Sequence, residues 1–127
     1  YAWDELVKDG WTYWDGVRNY DARNNLAAMK KGDLALYYHS NEGKEVVGVA
    51  RVEKESYPDP TTDDDRWVVV DIEPVVKLAQ PVTLADIKAD PKLAEMQLIR
   101  RSRLSVVPVT AAEFKRILSK AKTKLPK

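Results

Sequence analysis

Cysteine is absent from this sequence, and histidine occurs once, at His39. The first absence excludes disulfides, thiolate metal sites and a cysteine nucleophile. The second makes a histidine-rich metal site or a serine–histidine triad hard to assemble, and no cofactor is expected. No apolar run approaches the roughly 20 residues that span a bilayer. No secretory signal pattern opens the sequence. The cytoplasm, or the nucleoid in a bacterium, is therefore the expected location, with no membrane partner. Glycine-rich phosphate loops, internal repeats and low-complexity segments are also missing. What remains is a chain of 127 residues, 44% hydrophobic and 32% charged, which suits one soluble domain with a single core.

Net charge is only +1, but it is unevenly spread. Residues 1–86 carry 10 basic and 17 acidic side chains, and residues 87–127 carry 11 basic and 3 acidic. A basic final third can meet phosphates, or it can be a solvated helix with a lysine-rich tail.

Local patterns predict the elements. "AWDELVKDG" reads as a short helix stopped by Gly10, and "YDARNNLAAMKKGD" as a second helix with Ala22, Leu26 and Met29 on one face. "DLALYYHS" and "KEVVGVARVEKESY" read as the strands of a hairpin, and "RWVVVDIEPVVKL" as a third, β-branched strand. Between the last two, "PDPTTDDD" reads as a loop. Thr83 is placed to cap a helix in "VTLADIKAD", and "PKLAEM" gives a further helical turn. "RLSVVPV" reads as a strand whose proline points to an edge or a bulge. "TAAEFKRILSKA" is the clearest helix: Thr110 and Glu113 have capping-box spacing, and Phe114, Ile117, Leu118 and Ala121 share a face. Strands and helices do not alternate regularly. The expected fold is α+β, a curved mixed sheet or pseudo-barrel flanked by short helices.

The densest concentration of chemistry is "YWDGVRNYDARNN", residues 13–25. Trp14 offers a broad π face, and Gly16 permits close approach to the backbone. Arg18 offers planar donors, and Asn19 can both donate and accept. Arg23, Asn24 and Asn25 lie near a helix start, where free N–H groups favour anions. Together these are parts of a polar pocket with an aromatic wall. Each also has a plainer role: Trp14 as a core aromatic, Asn19 as a helix cap, Arg23 as a surface ion-pair residue. Downstream, strand alternation in "LYYHSN" sets Leu36, Tyr38 and Ser40 on one face and Tyr37, His39 and Asn41 on the other. In "RRSRLSV", Arg101, Arg103 and Ser105 alternate on one side, either as phosphate contacts or as charges blunting a strand edge.

Several stretches carry a resemblance: "YWDGVRNYDARNNLAAMKKGDLALYYHSNEGKEVVGVARV", "YPDPT", "WVVVDIEPV", "PVTLADIKADPKLAEM" and "RLSVVPVT". In this order, across residues 1 to about 120, they resemble the EVE domain, a family of the PUA-like superfamily. The pattern W-x-GVRN-x-x-ARN with YHSN downstream is highly specific. The resemblance implies a single PUA-like domain over 1–127. It also implies a pocket for a modified or flipped base, in modified-cytosine DNA or modified RNA. By motif, that pocket uses Trp14, Gly16, Val17, Arg18, Asn19 and Arg23, faced by Tyr38, His39 and Ser40, with Arg103, Leu104 and Ser105 approaching from the late segment. Arg23, Arg101 and Arg103 are the expected phosphate contacts. Family members open with a strand of the type W-x-x-K-x-E-P, and this sequence begins after that point, so an unpaired sheet edge is expected. The implied function is a non-catalytic nucleic-acid reader, acting as a monomer. The alternatives are an enzyme on a modified nucleotide or RNA base, with His39 as its general base, and a small-metabolite or protein-interaction module using the same pocket.

Overall fold

In the computed structural model, the structure describes residues 2–15, 17–39, 43–101 and 106–126. Helix α1 (Trp3–Asp9) leads to a two-residue strand β1 (Thr12–Tyr13) and helix α2 (Tyr20–Ala27). Strands β2 (Leu34–His39), β3 (Glu45–Pro58) and β4 (Val68–Thr83) follow. Helix α3 (Leu84–Ala89), a 3-10 turn (Pro91–Leu93), helix α4 (Gln97–Arg100) and helix α5 (Ala111–Lys120) complete the order. The strands form one sheet in the order β1-β4-β3-β2. Every pairing among the described strands is antiparallel, where the sequence pattern had pointed to a mixed sheet. Four register shifts interrupt the β3–β4 ladder, and such bulges bend and twist a sheet.

The hairpin β3–β4 is the floor of the molecule because β3 is apolar on both faces. Val47, Ala50 and Val52 pack with Trp3, Leu6, Val17, Ala22 and Leu26, the core under α1 and α2. Val46 and Val49 point the other way, toward Ile87, Leu93, Ile117 and Leu118 under α3 and α5. Gly48 stands between the two sets for a steric reason. A Cβ there would lie 2.6 Å from Trp3 ring carbons, so the indole rests directly on the strand backbone.

Capping signals carry over directly. The Thr83 and Thr110 hydroxyls accept the N–H of Asp86 and Glu113, and those two carboxylates accept the cap N–H groups in return. Gly10 closes α1 at φ 80°, in the left-handed region, with its N–H donated to Leu6 O. On α5, Ile117 and Ala121 are fully buried, Leu118 nearly so, and Phe114 packs at the margin.

Three sequence expectations need correction. Helix α2 ends at Ala27, short of the basic residues, because Asp33 turns the chain by accepting the Lys30 N–H. Strand β4 runs on to Thr83, through Pro74 and Pro81. Pro74 sits at a register shift opposite Ala50. Pro81 ends the stretch 78–81 that lifts off β3 before β4 rejoins it at Val82, and there the chain donates instead to the end of α5, from Gln80 N to Ala121 O and from Ala79 N to Thr123 Oγ1. The described half of "RLSVVPV", residues 106–109, is not a strand. Pro108 has no N–H to offer, and Val106 O is taken by the Asn25 side chain at 2.8 Å.

Candidate nucleic-acid interface

The Trp14–Arg23 stretch is anchored from both ends. Trp14 N donates to Val70 O of β4 at 2.8 Å, which ties the segment after β1 to the sheet. The Trp14 ring packs, half-buried, against the core, and Val17 is buried within it. Asn19 then caps α2: its Oδ1 accepts the N–H of Asp21 at 2.8 Å and of Ala22 at 3.2 Å. The side-chain oxygen of Asn19 is thus committed to the fold. The first amides of α2 are satisfied by it, and Arg23 N is already paired with Asn19 O inside the helix.

Arg18 is held by a residue that the sequence reading passed over. Its Nη1 donates to Asp59 Oδ2 at 3.0 Å and to Val17 O at 3.0 Å. The Asp59 side chain is fully buried while Arg18 stays partly exposed. Burial alone would push the Asp59 carboxyl up. The Thr61 hydroxyl and N–H and the Arg18 guanidinium outweigh that and hold it below the ordinary carboxylate value. Asp59 sits between two prolines and two residues before Thr61, a spacing that favours an Asx turn. That spacing is the signal that could have singled it out.

The loop that begins at Asp59 returns through Trp67, whose carbonyl accepts Asp59 N–H at 3.0 Å. The Trp67 ring is buried and lies 5.3 Å from the half-exposed ring of Tyr20, at the start of α2. Guanidinium groups gather on this pair. Arg18 lies 5.7 Å and Arg66 5.6 Å from the Trp67 centroid, and Arg23 lies 5.1 Å from that of Tyr20. Arg66 Nη1 also donates to Tyr20 Oη at 3.0 Å, and Arg23 Nη1 to Arg66 O at 3.3 Å. Arg101 joins the same side by pairing with Asp21 at 2.6 Å. Four arginines from three distant parts of the chain therefore meet around the first turns of α2.

The facing strand divides its residues. Tyr37 packs against the core that holds Trp14 and Val17, whereas Tyr38 packs against the opposite one. Burial raises the Tyr38 phenol above its ordinary value. His39 returns to the Trp14 side: its ring lies 5.8 Å from that of Tyr37, and its Nε2 accepts the Trp3 N–H at 3.0 Å. The nitrogen a general base would use is occupied. Gly16, Ser40, Arg103, Leu104 and Ser105 lie outside the described residues. Among the described residues, no group of three His, Asp or Glu side chains is placed to hold a metal ion, and no helix is long and apolar enough to cross a membrane.

The chain has relatives among known proteins. The family model described as EVE domain matches residues 1–120. Thymocyte nuclear protein 1 of Gallus gallus is 39% identical over 131 residues, covering 85% of this chain and 54% of that protein. The chain spans between half and two thirds of the length of the curated relatives it matches. A crystal structure of an Agrobacterium tumefaciens protein is 44% identical with a TM-score of 0.95, covering 100% of this chain and 92% of that one. The crystal structure of human THYN1 protein in complex with 5-methylcytosine containing DNA is 34% identical with a TM-score of 0.88, covering 98% of this chain and 87% of that one.

Proposed function

This chain belongs to the EVE domain family, and from that premise we propose that it is a non-catalytic module that binds nucleic acid and holds a modified or flipped base. The pocket is built on the Trp14–Arg23 stretch, and the base is a modified cytosine in DNA or a modified base in RNA. The observation that carries the reading is the human relative with its 5-methylcytosine DNA, whose fold this chain shares over nearly its whole length. Taking a base out of the stack costs a few kcal/mol, which the pocket has to offset. A base stacked on an aromatic contributes about 1–3 kcal/mol. Trp14 is the wall we assign to that stack. Val17 and Gly16 line the close approach beside it, and Arg18 faces a base carbonyl or phosphate. The Asn19 oxygen is taken by α2, so its amide NH2 is the part we assign to a base edge. His39, Ser40, Leu104 and Ser105 complete the proposed lining, Tyr38 being left out because it packs on the opposite side of the sheet, and Arg23, Arg101 and Arg103 are assigned to phosphates. The protein acts as a monomer in the cytoplasm or nucleoid.

Turnover has less support than binding, because the imidazole that an enzyme would need as base accepts a backbone N–H instead. The test is a titration against matched modified and unmodified oligonucleotides, DNA and RNA, single- and double-stranded, at several salt concentrations. A preference for one modified base together with a steep salt dependence is expected. Equal, salt-independent and weak binding to all members would instead favour a small-metabolite or protein ligand.

A further inference from the structure

Arg66 and Asp64 were not among the residues that the family pattern pointed to, yet they sit in the arginine cluster. Three guanidiniums, those of Arg18, Arg23 and Arg66, rest on two neighbouring rings, Trp67 and Tyr20, tilted by 34° to each other. Like charges gathered this closely repel one another unless anions are interleaved. Two carboxylates supply part of that compensation. Asp59 is buried behind Arg18 and bound by Thr61, so it is a permanent part of the fold. Asp64 is different. It grips Arg66 through both oxygens, with Nε at 2.9 Å and 3.0 Å, and this pair is open to solvent. The contact holds the Asp64 carboxyl down at about 2, so it is ionised at neutral pH. The N–H groups of Arg23 go to neutral oxygens, those of Asn24 and of the Arg66 carbonyl. Of the three guanidiniums, Arg18 and Arg66 are each paired with a carboxylate, and Arg23 is paired with none among the described residues.

A fork of two guanidinium N–H groups fits a carboxylate and a phosphate with the same geometry. We propose that Arg18, Arg23 and Arg66 form a clamp for one phosphodiester of a polynucleotide backbone, and that Asp64 is the resident counter-ion the phosphate displaces from Arg66. The inference rests on the nucleic-acid reading above and adds to it a residue, a ligand group and a competitor within the chain. The competitor has a consequence for recognition. Each phosphate contact at Arg66 is made at the expense of an existing ion pair, so the backbone contributes less to affinity, and a larger share of selectivity is left to the base.

The experiment uses a short DNA duplex carrying one 5-methylcytosine and its unmodified counterpart, titrated at four salt concentrations. Arg66→Ala is expected to weaken binding to both duplexes alike, by roughly three- to tenfold, and to shallow the salt slope by about one. Asp64→Asn is expected to tighten binding by roughly two- to fivefold, an outcome that damage to the fold does not produce. Asp65→Asn makes the same charge change one residue away, at an exposed side chain, and is expected to do less. Wild-type affinity and slope in Arg66→Ala, or equal gains in Asp64→Asn and Asp65→Asn, would overturn the clamp alone. Failure of the wild-type chain to bind either duplex, or any DNA or RNA of the wider panel, would overturn the clamp and the nucleic-acid reading together.

Discussion

The two faces of the β3–β4 hairpin carry their charge in different ways. On the α2 face, Arg18, Arg66 and Arg101 each lie against a carboxylate, and Arg18, Arg23 and Arg66 also lie on aromatic rings. On the α5 face, Lys88, Lys115, Lys122 and Lys124 are exposed and make no ion pair among the described residues. A single carboxylate there, Asp90, serves both Arg116 and Lys120. A planar guanidinium held by a carboxylate and a ring has a defined direction, whereas a solvated ammonium on a four-carbon stem does not. Net charge along the chain is therefore a poor guide to where cationic groups are held in fixed directions. The basic final third holds most of the excess charge, whereas the guanidiniums held against aromatic rings lie on the α2 side.

Four substitutions break or sharpen this contrast. The largest effect is expected from Ile117→Ala, which empties a fully buried site in the α5 core. It should cost about 2–5 kcal/mol of stability by denaturant titration while leaving oligonucleotide affinity of the folded chain unchanged. A loss of affinity would show that the two faces are coupled. Next is Trp14→Ala, expected to weaken binding of the preferred oligonucleotide by about 1–3 kcal/mol. Full affinity in a chain that remains folded would make Trp14 a core aromatic only. Asn19→Ala removes a helix cap with two accepted bonds, so a stability loss of about 1 kcal/mol should accompany any loss of base discrimination. Thermal unfolding and titration of that one variant separate the two roles.

The smallest effect is a matter of pH. The Arg116 hydrogen bond, with help from the Lys92 N–H and Lys120 and against the pull of burial, holds the Asp90 carboxyl at about 2. A carboxyl depressed in the folded state stabilises it above the ordinary carboxylate pKa, and that contribution disappears as pH falls through the depressed value. Stability curves for wild type and Asp90→Asn should therefore be separated at neutral pH and converge between about pH 4 and 2. Parallel curves across that window would show that the Asp90 charge contributes nothing.

Local chemistry made much of the fold legible. Threonine caps, the apolar stripe of α5 and the hairpin of β2 and β3 each depend on residues within a few positions, and the structure has all of them. The alternation in "LYYH" also holds, with Leu36 and Tyr38 on one side and Tyr37 and His39 on the other. The full length of β4 was hidden because prolines usually end a strand, and it takes the register shift at Pro74 and the partners at the end of α5 beside Pro81 to show why these do not. The arginine cluster was half legible. Arg18 and Arg23 lie in one dense stretch, but Asp59, Arg66 and Trp67 are about 40 residues away, and nothing local says that a proline-rich acidic loop folds back onto α2. Asn19 shows the limit in the other direction: cap and base reader call for the same side chain.

The contact between Gly48 and Trp3 bears on how the chain finds its register. From Val46 to Ala50 the strand is buried on both sides, so over that stretch a slip of one residue would exchange one apolar surface for another, and burial there would hardly resist it. The slip would bring a valine beneath the indole, where a single added carbon already lies 2.6 Å from the ring. The missing side chain acts as a key. It admits one alignment of the hairpin with the first helix and penalises the neighbouring ones by overlap, so the fidelity of folding in this sheet depends on an atom that is not there.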